Sequence, residues 1–193
     1  MKFVLGLLFT LTFSCQATAT HFSLVKINPN AYEISIEKIK AAIAADDTKQ
    51  EILPFDNSQS FLLKDHDEQR IGYLIPVKYN SKSYKNTICR LYFVDLHNNL
   101  NFAELFAEKN DGDDIVPSCV GIEAVSIQNK TANEALYFAI VRFRTVNTYG
   151  DKAVVLTYKT GALLYDKKNN DCINANRQTS NIKALTKKLM SCM

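Results

Sequence analysis

Glycine and proline are scarce in this chain, six and four among 193 residues. With 47% hydrophobic and 22% charged content, that scarcity excludes the fibrous and disordered classes and leaves one ordinary globular domain. Long apolar runs are missing too. The stretch Phe3 to Phe13 is uncharged and apolar, but its eleven residues fall short of the roughly 20 a membrane-spanning helix needs. Nor does charge of one sign dominate. Lys and Arg number 23 against 20 Asp and Glu, and loss of Lys2 with a leader would lower the formal +3 by one. A balance this even, with scattered basic residues, lacks the concentrated positive face that neutralises phosphates, so nucleic acid is not an expected partner. Lys78, Lys82 and Lys85 gather around Tyr79 and Tyr84, which reads as a solvated loop.

The signatures of several chemistries are absent. No G-x-S-x-G occurs, and no cysteine pair has the C-x₂₋₄-C spacing of a zinc site, so neither a nucleophile elbow nor structural zinc is expected. Asp111, Asp113 and Asp114 resemble the start of a calcium loop, yet Gly112 follows the first Asp directly and no Glu closes the pattern. The three histidines sit in polar settings: His21 near the start, His66 within Lys64 to Glu68, and His97 in a His-Asn-Asn turn. No cofactor and no metal is implied.

What is present begins with a leader. Lys2, the apolar Phe3 to Phe13 and the A-x-A site Ala17-Thr18-Ala19 form the pattern of a secretory signal peptide, which predicts 1-19 as signal peptide and 20-193 as a single exported domain. Ser14-Cys15 also resembles the end of a bacterial lipobox, although Thr12 and Phe13 depart from it. Only a lipidated Cys15 would tie the domain to a membrane. Four cysteines then remain, Cys89, Cys119, Cys172 and Cys192, an even number that argues for two disulfides in an oxidising compartment, secreted or periplasmic. Three pairings are possible. Cys89 with Cys119 is favoured because both lie on or beside neighbouring predicted strands, and Cys172 with Cys192 because they bracket a C-terminal helix.

The longest strand-like block runs from Glu134 to Asp166, with a turn signal at Lys159-Thr160-Gly161 between apolar runs. Before it, FLLK and IGYLIPVKY form a hairpin with Ile71, Tyr73, Ile75, Val77 and Tyr79 on one face at period two, and Pro76 marks an edge strand or a bulge. ICRLYFVDL and CVGIEAVSIQ supply further strands. Ser35 to Asp46 predicts a helix with Ile36, Ile39 and Ile43 in a stripe, Asn101 to Lys109 a short helix, and Asn181 to Met190 a closing helix. The fold class is therefore α+β, mainly an antiparallel β meander (curved sheet, sandwich or barrel) with an N-terminal and a C-terminal helix packed on it.

Polar residues inside apolar strands are the candidates for function. Glu123, Arg142 and Arg144 stand out, and a cross-strand pair of Glu123 with either arginine is the structural expectation. Nine tyrosines and eleven phenylalanines could supply interface anchors, with Tyr79, Tyr84 and Tyr149 expected to be exposed in or beside loops. The reading is an exported small protein-binding domain of inhibitor or immunity type, with a protein partner and with Tyr79, Tyr84, Tyr149, Arg142 and Arg144 in its surface. A hydrolase using Glu123 or Asp95 is the alternative, and it requires a carboxylate of raised pKa in a pocket. The general arrangement is similar to that of exported bacterial proteins, among them immunity proteins of secretion-system toxins, though no motif carries the likeness.

Overall fold

The computed structural model describes residues 21–28, 36–46, 51–52, 59–65, 67–81, 86–105, 118–131, 134–144, 149–159, 161–174 and 181–192. His66, Tyr84, Asp111 to Asp114 and residues 1–20, Cys15 included, lie outside the described residues. The fold is α+β and built on an antiparallel β meander, in the form of two sheets. The first holds β1 (Ser23–Lys26), β2 (Glu51–Ile52), β3 (Phe61–Lys64), β4 (Arg70–Ser81), β5 (Asn86–Asp95) and β6 (Leu100–Glu104), in the order β1-β3-β4-β5-β6 with β2 also on β4. The second holds β7 (Ser118–Thr131), β8 (Glu134–Arg144), β9 (Tyr149–Lys159) and β10 (Ala162–Tyr165), in the order β10-β9-β8-β7. Each sheet is one continuous portion of the chain.

Strand alternation explains how the sheets stack. Leu91 and Phe93 of β5 enter the core between the sheets, where they meet Tyr137, Ala139 and Val141 of β8 and Val154, Leu156 and Tyr158 of β9. Tyr92 and Val94 point the other way. They join Ile75, Val77 and Tyr79 in a second cluster with Ile39 and Ile43 of the helix α1 (Ile36–Asp46). β5 is thus buried on both faces, as its near-continuous apolar sequence requires. Leu136 and Ile140 of β8, with Ala153 and Val155 of β9, form a third cluster under helices α2 (Lys167–Asn174) and α3 (Ile182–Met190).

Two turns of the first sheet repeat one device. In Asp65 to Gln69 and in Asp95 to Asn99, the Asp carboxylate accepts the backbone N–H groups two and four residues on, at 3.0 and 2.9 Å in the first turn and 2.8 and 2.7 Å in the second. The fourth residue of each is left-handed, Glu68 at φ 60° and Asn98 at φ 61°. An Asp at the first position with an αL residue fourth is what a three-residue hairpin loop demands. The second turn overturns the expected helix over Asn101 to Lys109 in its described part, residues 101–105. Asp95 sends the chain straight back as β6, Phe102 pairs opposite Tyr92, and their rings lie 5.4 Å apart.

Pro76 occupies neither an edge strand nor a bulge. β4 is an interior strand, and Pro76 pairs with Leu91 of β5 on one side. On its other side β3 reaches only Leu74 and β2 begins only at Tyr79, so the proline sits in the gap between two short partners. Ile71 also leaves the expected face. The register shift opposite Leu63 and Lys64 turns it toward the inter-sheet core while Tyr73, Ile75, Val77 and Tyr79 keep the α1 side.

Helix α2 is an element the apolar pattern does not announce, because asparagine forms much of its buried side. Asn170, 1% exposed, lays its amide along β9 where β10 has ended: Oδ1 accepts the Val155 N–H at 2.9 Å and Nδ2 donates to the Val155 carbonyl at 2.7 Å. One turn later Asn174 donates to the Ala153 carbonyl at 3.1 Å. A helical step of four residues rises about 6 Å and a strand step of two about 6.8 Å, so the amides keep pace with alternate β9 residues. The helix replaces a strand on this edge. Asp166 caps it, accepting from the Asn169 N–H at 3.1 Å. Asn181 caps α3 by accepting from the Ala184 N–H at 2.8 Å, and Leu185 and Leu189 are fully buried beneath it.

The two disulfides are Cys89–Cys119 and Cys172–Cys192. The first joins β5 to β7 and so ties the sheets together; the second ties α2 to α3. Two intrachain disulfides point to an oxidising, extracytoplasmic environment, where such bonds persist. Among the described residues no helix is long and apolar enough to cross a membrane, which says nothing about a β-barrel.

Candidate functional site

The residues singled out on β8 come together with β9 and β7 at one corner of the second sheet. Along β8 the odd positions enter the inter-sheet core, so Leu136, Ile140, Arg142 and Arg144 share the outer face. The helices cover the first two. Arg142 and Arg144 lie beyond them and are exposed, as are their direct cross-strand partners on β9, Asp151 and Tyr149. Tyr149 is 68% exposed, the highest value among the exposed large hydrophobic side chains described.

Irregularities in β7 complete the corner. Its register slips between Ile122 and Ala124, which leaves Glu123 as an extra residue and swings its carboxylate onto Arg142 at 3.4 Å. Asp151 Oδ1 takes the Arg142 Nε at 3.1 Å from the opposite side. The hydrogen bond to Asp151, then the charges of Glu123 and Asp151, hold the guanidinium above its ordinary pKa. Of the two expected pairings, Glu123 therefore chooses Arg142. A second slip between Cys119 and Gly121 pushes Val120 outward, and its carbonyl accepts from Lys78 Nζ of β4 at 3.1 Å. Cys119, one residue earlier, is bonded to Cys89. The corner is consequently fixed to both sheets.

Tyr79 is not exposed as expected. It is 1% accessible because β4 continues to Ser81, which places Tyr79 inside the strand, opposite Ile88 and on the face that holds Ile39 and Ile43. The period-two pattern already pointed there. Its ring neighbours a buried cation that sequence reasoning missed: the Arg90 guanidinium lies 4.3 Å from the Phe102 ring centroid and 5.3 Å from that of Tyr79. The only sequence signal was an arginine in an apolar strand. It belongs to the core of the first sheet and is not part of the exposed corner.

The carboxylates of the hydrolase alternative have other work. Glu123 is paired with Arg142, and Asp95 organises its turn. Desolvation, the largest single influence, raises the Asp95 pKa, but the hydrogen bonds from Asn99 and His97 together outweigh it and hold the carboxyl below its usual value. That direction opposes a general acid. Among the described residues no group of three or more His, Cys, Asp or Glu could hold a metal ion.

Fold and surface together define a class, a disulfide-tied α+β domain of two sheets with an arginine and tyrosine corner on its outer face. No protein-family model matches the chain, and no curated protein or solved structure matches it.

Proposed function

We propose that the protein is an exported domain, periplasmic or secreted, that binds another protein in the manner of an inhibitor or immunity protein and does so through the Tyr149 corner. One observation carries this reading. The most exposed large hydrophobic side chain described, Tyr149, stands directly across from exposed Arg144, on regular strands and beside a disulfide. Tyr and Arg are the residue types that dominate interface energetics, and a rigid platform spares them ordering entropy on binding. Arg142, already held by Glu123 and Asp151, positions the neighbouring row and presents a polar rim. Tyr84, outside the described residues, stays in the proposed surface on its sequence alone; Tyr79, buried, leaves it.

The test is recovery of a stoichiometric partner on the tagged mature chain, followed by titration of that partner with Tyr149→Ala and Arg144→Ala. Each truncation is expected to weaken binding by about 30-fold or more, the range of interface hot spots, while the melting temperature stays within about 2 °C because neither side chain is buried. Partner affinity unchanged in both variants would remove the corner from the interface.

A further inference from the structure

The near-neutral charge of the whole chain hides a segregation that the fold makes spatial. Residues 166–193 contain six Lys or Arg against two Asp or Glu, whereas residues 20–165 contain sixteen against eighteen. The C-terminal portion is thus +4 and the remainder of the mature chain −2. Its described part is the layer of α2 and α3 on the outer face of the second sheet.

Within that layer Lys188 is half-buried and donates to the Ile173 carbonyl, while the other described lysines point to solvent. Lys183 and Lys187 are exposed at i and i+4 on α3, and Met190, 62% exposed, extends the same stripe by one turn. Lys167 and Lys168 are exposed on α2. Of the two acids, Asp166 turns inward to Asn169 and Thr157, and only Asp171 faces outward, beside Lys167 at 3.2 Å. Leu164, 51% exposed, lies on the same outer face, opposite Thr157.

We infer that this layer docks the molecule on an anionic lipid surface. The cations described here are lysines, compact and strongly hydrated, which suit a diffuse negative potential and are depleted in the cores of protein interfaces. Two exposed apolar side chains, Met190 and Leu164, flank them and can enter the headgroup region. The apolar stripe of α3 is spent on the sheet, with Leu185 and Leu189 fully buried, so the docking is electrostatic attachment of a folded surface and not insertion of the helix. It needs no acyl chain on Cys15 and does not rest on the Tyr149 corner.

The experiment is co-sedimentation of the mature chain with vesicles of phosphatidylcholine alone or with roughly 30% phosphatidylglycerol, at about 0.05 M and about 0.5 M salt. Binding is expected on the anionic vesicles only and is lost at the higher salt. A lysine near such a surface contributes about fivefold, so Lys183→Glu with Lys187→Glu is expected to weaken binding at least about 25-fold. A control on the first sheet, Lys26→Glu with Arg70→Glu, should bind like the parent, and circular dichroism verifies that both pairs fold. Equal sedimentation with neutral lipid, no binding to the anionic vesicles, or an unaffected Lys183 and Lys187 variant overturns the inference. Binding to soluble polyglutamate without binding to vesicles would also overturn it, in favour of an acidic protein surface.

Discussion

Replacing Asn170 by alanine removes the amide with which α2 stands in for a strand. The carbonyl of Val155 survives the loss, because it also accepts the Asp166 N–H at 3.1 Å. The Val155 N–H does not. Its only described partner is Asn170 Oδ1, and a buried donor left unsatisfied costs about 1–3 kcal/mol. The bond from Nδ2 to the Asp166 carbonyl, 2.8 Å, adds about 1 kcal/mol, for a total of about 2–4 kcal/mol. In a domain of this size that lowers the melting temperature by about 5–15 °C. Thermal unfolding under oxidising conditions reads the magnitude, and hydrogen exchange at the Val155 amide reads the location. Asn174→Ala, half-buried, should cost about 1 kcal/mol. A shift below about 2 °C for Asn170→Ala, or a Val155 amide as protected as in the parent, would refute the view that this side chain closes the edge of β9.

Other outcomes follow from the same geometry. Stepwise reduction should open Cys172–Cys192, whose cysteines are half-buried, well before Cys89–Cys119, whose cysteines are 1% and 2% exposed, and alkylation with peptide mapping gives the order. By loop-closure entropy each bond contributes about 3–4 kcal/mol, so the order reports access more than stability. Asp95→Ala should cost about 1–2 kcal/mol, as loss of a cap does. Because the folded pKa of Asp95 is depressed, its contribution is present above the ordinary carboxylate value near 4 and fades as pH falls through the folded value. Acid titration of the parent against Asp95→Ala should show that difference shrinking below about pH 4. A Cβ on Gly72 would lie 2.5 Å from the Val94 carbonyl and 2.7 Å from the Phe93 ring, so Gly72→Ala should lose about 2 kcal/mol or more in urea unfolding. The Tyr137 hydroxyl is buried between the sheets with no hydrogen-bond partner among the described residues, and burial pushes its pKa up; Tyr137→Phe should be neutral or stabilise by up to about 1 kcal/mol.

How much of this was legible depended on whether apolar side chains wrote the signal. β4, β5, β8 and β9 alternate or run continuously apolar, and they appear where that pattern places them. The closing helix is set by Leu185 and Leu189, the Cys89–Cys119 pairing by strand neighbourhood, and the Cys172–Cys192 pairing by the helix these two cysteines bracket. α2 was invisible because its buried side presents Asn169 and Asn170 beside a single Ile173, and a search for apolar periodicity passes over amides. β6 was misread because Phe102 and Leu105 have helical spacing, while the decisive information lay in the Asp95 turn. At the corner, Arg142 and Glu123 were legible as oddities in apolar strands. Asp151, the second carboxylate on Arg142, was not, since only the β8–β9 register brings it there. Tyr79 lies near a loop in the sequence, yet the period-two alternation of β4 places it with Ile75 and Val77 on the buried face.

The chain lays down one sheet from residues 23–104 and the other from residues 118–165, and Cys89–Cys119 is a covalent link between these portions besides the connecting backbone. The two halves are therefore separable in principle, like the parts of a split protein. If a protease site engineered between residues 105 and 118 were cut, the nicked molecule would migrate as one species without reductant and as two with it. Its halves would stay docked through the shared core for as long as the sulfur bridge remained closed.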